Sequence, residues 1–235
     1  MPKTNRRHAT RLSLAVKRAV DVGGALIALV VLSPVLAWVA LAVALTSGFP
    51  VFFRQQRPGL REEPFTIIKF RTMRAPRRGE VWYLTDDQRI TRLGRFLRAT
   101  SLDELPEFWN VLRGEMSLVG PRPLLAEYLD QYTPEERRRH DVRPGVTGWG
   151  VVNGRNTLRF RDRLALDVWY VDHWSLGLDI KILAMTVRQV LRRTNVSTTE
   201  DLALGFPLPG VDPELTYGLG GGATTSVDST SASTM

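Results

Sequence analysis

The sequence predicts an α/β chain that is mostly helical. It should combine an N-terminal re-entrant membrane helix–break–helix, amphipathic interfacial helices and a small cytoplasmic domain with few short strands. Three observations predict it. The run Val22 to Phe53 is uncharged, interrupted by Ser33-Pro34, and flanked by basic residues on both sides. Pro64 to Met73 has the β-branched and aromatic composition of a strand. The segments that follow carry apolar residues at helical spacing.

The uncharged run exceeds the ~20 apolar residues that cross a bilayer. Lys17 and Arg18 precede it, with Arg6, Arg7 and Arg11 upstream, and Arg54, Arg57 and Arg61 follow. Positive charge marks the cytoplasmic flank, so a straight crossing would put one cluster on the wrong side. A helix that dips in, bends and returns keeps both on one side. Pro34 supplies a cause for the bend, because its ring displaces the carbonyl four residues back. The Ser33 hydroxyl is at hand to satisfy that carbonyl. Asp21 to about Thr46 therefore reads as a re-entrant hairpin hinged at Ser33 and Pro34. A kinked span and a cleaved leader ending near Ala42-Val43-Ala44 are the alternatives.

Residues 1–20 form a basic segment. Leu12, Leu14 and Val16 could begin an interfacial helix on anionic lipid headgroups, or the segment could be a frayed tail. The 235 residues carry a formal net charge of +8, which calls for anionic partners. No nucleic-acid motif accompanies the charge, and a membrane segment argues against that class. There is no cysteine, so disulfides and thiol chemistry are excluded. His8, His140 and His173 are too scattered for a metal-ligand spacing.

Arg54 to Gly59 reads as a turn by its Pro-Gly step. In the strand that follows, alternation puts Phe65, Ile67, Lys69 and Arg71 on one face. Two cations on such a face suit a bound phosphate, or a solvated edge. Gln88 to Thr100 reads as a helix, with Ile90, Leu93 and Leu97 on one side and Arg89, Arg92, Arg95 and Arg98 on the other.

Ser101 to Leu112 carries the chemistry. Ser101 and Glu104 have capping-box spacing, and Leu105, Phe108, Trp109 and Leu112 form an apolar face. Acids in a first turn are ordinary helix design. The same position, however, would hold Asp103 ionised and nucleophilic, with Glu104 beside it as a hard oxygen ligand for Mg²⁺. Lys69, Arg71, Arg98 and Arg122 could neutralise an approaching phosphate. Pro121 and Pro123 fix the backbone around Arg122.

Leu124 to Tyr132 reads as a short helix, and Thr133-Pro134 as the N-cap and first residue of another. Val142 to Asn156 is rich in glycine, which would allow close backbone approach to a ligand. Arg159 to Trp174 reads as helical, and Asp179 as the cap of a last helix running to Arg193. From Val196 onward Gly, Ser, Thr and Pro dominate, and disorder is expected.

The motifs KRAVDV, the LSP break, QQRPG, FTIIKFRTM, SLDELPEFWNVLRGEMSLVGPRPLL, RPGVTGWGVVNGRN and LDVWYVDHWSLGLDIKIL lie between residues 17 and 193. Together they resemble the bacterial sugar transferase family, the monotopic polyprenyl-phosphate phosphoglycosyl transferases. The size and the VNGRN segment resemble its small single-domain branch, which handles N-acetylated hexosamine phosphates such as diacetylbacillosamine phosphate. The resemblance implies transfer of a sugar 1-phosphate from a UDP-sugar to polyprenyl phosphate, with UMP released and undecaprenyl phosphate as the expected acceptor. It implies Asp103 as nucleophile, forming an aspartyl-phosphosugar, and Glu104 as the Mg²⁺ ligand. Lys69, Arg98 and Arg122 would lie around the phosphates, with Arg143 and Asp167 as weaker carry-overs. It implies a re-entrant hairpin at residues 21–48 and a catalytic domain at 49–195 on the cytoplasmic face of the inner membrane, while composition alone makes 196–235 a flexible tail. Downstream glycosyltransferases are possible further partners. The tail has no counterpart in the resemblance. The reading from another class is a non-enzymatic basic scaffold at the membrane surface.

Overall fold

The structure, a computed structural model, describes residues 10–75, 89–153 and 160–192. Helix α1 (Arg11–Val31) is capped by the Thr10 hydroxyl, which accepts from the Ser13 amide. It runs without a break through positions 20–21, where the composition suggested a boundary. Helix α2 (Ser33–Ser47) follows after Leu32, and the pair is bent by 63°. The Ser33 hydroxyl donates to the Val30 carbonyl at 2.8 Å, the group that Pro34 leaves without an amide. Among the described residues no single helix is long and apolar enough to cross a membrane, and only this bent pair passes such a test together.

Polar side chains tie α1 to the rest of the molecule. Asp21 is buried and accepts from the Leu118 amide at 2.9 Å and the Ser117 hydroxyl at 3.0 Å. Lys17 reaches Asp179 at 2.7 Å. Arg18 donates to the carbonyls of Val111 and Leu112.

Strands β1 (Phe52–Pro58) and β2 (Pro64–Phe70) pair antiparallel, from Phe52 opposite Phe70 to Pro58 opposite Pro64. One face of β2 sends Phe65 and Ile67 into the central core with Val111, Met116 and Ile182. The other sends Phe70 against Val39, Val43 and Leu97. So α2 is packed onto the body on one side.

Helix α3 spans Arg92–Thr100. It starts later than its spacing suggested, because Thr91 caps it and Ile90 forms a bridge with Met73. Gly94 lies on the Thr72 carbonyl: a Cβ there would sit 1.9 Å from that oxygen. Helix α4 is Glu107–Arg113 and ends at Gly114, with φ +82°.

Strands β3 (Ser117–Val119) and β4 (Gly145–Thr147) pair parallel. A Cβ on Gly145 would lie 2.1 Å from the Gly120 amide nitrogen. This glycine therefore allows approach to the chain's own backbone, not to a ligand. Leu124 to Tyr132 is not an α-helix; Ala126–Gln131 forms 3₁₀ turns whose Tyr128 packs with Leu124, Leu125 and Phe160. Thr133 caps α5 (Pro134–Arg137) through a complete box with Glu136.

Helices α6 (Trp149–Val152), α7 (Phe160–His173) and α8 (Leu176–Arg192) complete the described chain. Ser175 accepts from the Leu178 amide at the start of α8. Asp179 is not the cap: it is buried and receives Lys17, the Tyr170 hydroxyl at 2.7 Å and the Trp174 indole at 3.2 Å. The expectations for most of VNGRN and for the tail past Val196 fall outside the described residues.

Candidate active site

Asp103 and Glu104 lie in a single 3₁₀ turn, Leu102–Glu104, wedged between the end of α3 and the start of α4. Ser101 is left-handed, with φ 56° and ψ 19°, and makes no side-chain cap bond. The capping box that its spacing suggests does not form, because Glu104 is committed elsewhere. Asp103 is 2% exposed and Glu104 6%.

The Glu104 carboxylate receives two cations from separate elements. Lys69, near the end of β2, places Nζ 3.1 Å from Glu104 Oε1 and 3.4 Å from Glu107 Oε1. Arg122 donates Nη2–H to the same Glu104 oxygen. Strand alternation explains Lys69: it follows Phe65 and Ile67 on the core-facing side, one step beyond the apolar part of that face. Asn110, fully buried, braces this strand: its Nδ2 donates to the Thr66 carbonyl at 2.7 Å and its Oδ1 accepts from the Ile68 amide at 3.2 Å.

Arg122 is held from behind as well as in front. Arg139, 2% exposed, donates to the Arg122 carbonyl and to Asp167 Oδ2, the latter at 2.8 Å. Burial opposes a charge on Arg139, but Asp167 and Tyr132 together more than offset this and hold its pKa above the ordinary value. Asp167 thus reaches the cluster through Arg139 and the Arg122 backbone. Pro121 and Pro123 fix the chain on either side of that carbonyl.

The other candidate residues are placed differently. Arg98 donates Nε–H to the Thr72 hydroxyl at 3.0 Å, on the segment that leaves β2. Arg71 lies one residue past β2 and donates to the carbonyls of Ser47, Gly48 and Phe49 at the end of α2. A cation is at home there, where helix carbonyls lack partners. Arg143 is exposed, donates to the Gly114 carbonyl at 2.8 Å, and lines a separate cavity of about 440 Å³ beside Arg18 and Asp21. The structure therefore brings together Asp103, Glu104, Lys69 and Arg122, with Asp167 one link behind, and takes Arg71 and Arg143 elsewhere. Glu107, Asn110 and Arg139 join the cluster without having been picked out from the sequence. Arg139 stands in a run of three arginines, which reads as solvated charge. Glu107 stands three residues from Glu104, and that spacing was available as a signal.

Among the described residues no three carboxylate or imidazole groups converge to cage a metal. Mg²⁺ does not require such a cage, since it binds through one or two carboxylates plus substrate phosphates and water. The adjacent hard oxygens of Asp103 and Glu104 fit that donor chemistry.

A family model described as bacterial sugar transferase matches residues 12–193. The chain is 48% identical over 186 residues to an uncharacterized sugar transferase, EpsL, of Bacillus subtilis (strain 168), covering 79% of this chain and 92% of that one. It is 44% identical over 181 residues to the UDP-glucose:undecaprenyl-phosphate glucose-1-phosphate transferase of Escherichia coli (strain K12), covering 73% of this chain but 39% of that protein. A protein of the same name from Caulobacter vibrioides (strain ATCC 19089 / CIP 103742 / CB 15) is 43% identical over 189 residues, with 76% and 71% covered. The match spans nearly all of the described helices and strands, and with it the acidic turn and both of its cations: the chain belongs to the bacterial sugar transferase family.

Proposed function

We propose that this chain is a phosphoglycosyl transferase that moves a sugar 1-phosphate from a UDP-sugar to polyprenyl phosphate. One observation carries the reading: two adjacent carboxyl groups are buried together, and Lys69 and Arg122 converge on one of them from different elements. Burying acids is costly unless the site uses or neutralises them. A non-enzymatic scaffold gives no reason for the arrangement. The named relatives support the donor and acceptor classes, since two of them are called UDP-glucose:undecaprenyl-phosphate glucose-1-phosphate transferases.

In the proposed chemistry an Asp103 carboxylate oxygen attacks the phosphorus that bears the sugar. The bond from that phosphorus to the bridging oxygen breaks, and UMP leaves with the electron pair. An aspartyl-phosphosugar remains. A phosphate oxygen of the polyprenyl phosphate then attacks the same phosphorus and expels the Asp103 carboxylate. The product is a polyprenyl-diphosphate sugar, ready for glycosyltransferases that extend it. Lys69 and Arg122 supply positive charge where a carboxylate must approach a diphosphate. Glu104 would hold Mg²⁺, which when bound would neutralise further phosphate charge. Arg98 is assigned to the phosphates as well. Arg71 is assigned to the end of α2, and Asp167 to positioning Arg122 through Arg139.

For the sugar, the resemblance to the small branch favours an N-acetylated hexosamine, and the names of the relatives favour glucose. The site is proposed to lie on the cytoplasmic face of the inner membrane, among anionic headgroups. UMP release from a panel of UDP-sugars, with Mg²⁺ and polyprenyl phosphate, tests the reading and names the sugar. Asp103→Asn should abolish release, and intact-protein mass spectrometry of the wild type without acceptor should show one added phosphosugar. Normal turnover by Asp103→Asn would remove Asp103 from the role of nucleophile.

A further inference from the structure

A second cavity, of about 460 Å³, opens in the angle between the two helices of the bent pair. Leu29 and Leu36 come from the two arms of the bend, Phe52 and Ile68 from the paired strands, and Trp109 from α4. The size is that of a small-molecule site, roughly 300–1,000 Å³. The lining is apolar, with Arg54 as its one charged side chain among the described residues.

Three features of this cavity need a common explanation. Trp109 is 52% exposed although it stands on the apolar side of α4, so the body of the protein does not use it as core. Phe52 stacks on Phe70 at 5.3 Å and remains accessible, so the floor presents an aromatic surface. Arg54 pairs across the strands with Ile68, which places a guanidinium at the edge of the apolar floor. Such a site suits an amphiphile with one anionic head and a long apolar chain. Ile68 and Lys69 point to opposite faces of β2. The cavity borders the acidic turn at Pro106, which lines it and stands three residues after Asp103.

We infer that this cavity holds the first isoprenoid units of the lipid acceptor, and that Arg54 recognises the acceptor through its phosphate. The inference rests on the proposed reaction for the identity of the amphiphile. The chain would then lie in the bend, with its head directed toward the acidic turn and its remainder in the bilayer. A bulky side chain at Ala37, an exposed lining residue of α2, would compete with it for space.

The test uses the full chain in nanodiscs and a polyprenyl phosphate with a diazirine in its first isoprenoid units. Photolysis should attach the probe to peptides containing Leu36, Ala37 or Trp109. Unlabelled polyprenyl phosphate should compete, and excess phosphatidylglycerol should not. Ala37→Trp and Arg54→Gln should each lower kcat/KM for polyprenyl phosphate at least about tenfold, with kcat/KM for the UDP-sugar within about twofold of the wild type. Labelling confined to other segments would overturn the inference. So would equal competition by phosphatidylglycerol, which would make the groove a general phospholipid site. If both variants keep the wild-type acceptor parameter, Arg54 and the cavity have no part in acceptor binding. Failure of the proposed reaction gives a different pattern: no UDP-sugar releases UMP, yet the lipid probe still labels the cavity and is still displaced by polyprenyl phosphate.

Discussion

Arg122 is held at both ends, and the two holds differ in kind. Its guanidinium is on Glu104, while its carbonyl accepts from Arg139, whose own charge is met by Asp167. Asp167→Asn would leave a fully buried guanidinium without a counter-charge, a change that costs roughly 3–5 kcal/mol. Denaturation in detergent should show that loss. Asp167→Glu should recover part of both stability and kcat, which a simple packing role would not produce with a longer side chain. His140 gives a pH dependence. It is buried, with Arg139 and Arg137 nearby and Glu62 at 3.8 Å, and burial followed by Arg139 pushes its pKa down to about 4. The unfolded chain therefore takes up a proton near pH 6.5, before the folded one does. The His140 contribution is complete above that pH and is lost as pH falls toward 4, by up to roughly 3 kcal/mol. Thermal midpoints measured across that window should fall in the wild type and fall less in His140→Gln. Residue identity announced much of this cluster. A lysine on a strand face and an arginine between prolines are out of place unless something anionic meets them. Arg139 was hidden because its neighbours are arginines, and only the fold distinguishes the one that points inward. Arg71 was misleading because alternation continued past Phe70, where the strand had already ended.

At the level of elements, helix ends decide more than helix interiors. Arg18 closes the last turn of α4, donating to the Leu112 carbonyl and sharing the Val111 carbonyl with the Gly114 amide, and Arg71 closes the end of α2 by donating to the carbonyls of Ser47 and Gly48. Neither role shows in a linear pattern, since each arginine is far in sequence from the helix it caps. The hinge was legible because Ser33, Pro34 and Val30 lie within one turn. The Ser101–Glu104 pair was misread because the left-handed Ser101 lets α3 and α4 turn sharply around the two acids, and a capped helix start would have prevented that. Glycines separate in the same way. Gly94 faces the Thr72 carbonyl, and a methyl group there collides with backbone that cannot swing aside. Gly23, inside α1, has nothing within 4 Å of the added carbon. Gly94→Ala should destabilise by at least about 1–3 kcal/mol. Gly23→Ala should stabilise by roughly 0.5–1 kcal/mol, because it improves helix propensity in open space. Chemical denaturation of the two variants side by side checks the contrast, and equal shifts would contradict the packing described for α3.

At the scale of the molecule, the bent pair cannot be drawn across a membrane without taking the body apart. Helix α1 is fastened as far as Ala25, which is fully buried, and by Lys17, Arg18 and Asp21 before it. Beyond Ala25 six residues remain before the bend, a rise of roughly 9 Å. A hydrocarbon core is about 30 Å thick. On the return, Val39 and Val43 are buried against Phe70 and Leu97, and Arg71 grips the last carbonyls of α2. Both arms are thus fixed to one body, which leaves the exposed apolar tip, with Ile27, Val31, Val35 and Trp38, as the part that a bilayer could take up. For the expected re-entrant path this is a stronger argument than the flanking charge, because Lys17 and Arg18 are engaged by the fold. The chain has no cysteine, so single ones can be introduced without background. Arg11→Cys and Glu63→Cys place exposed thiols before and after the hairpin. In inverted inner-membrane vesicles both should react with a membrane-impermeant maleimide, and in intact spheroplasts neither should. One thiol reacting from each side would mean a crossing, and the contacts of Asp21 and Arg71 would then have to be broken in the membrane-bound protein.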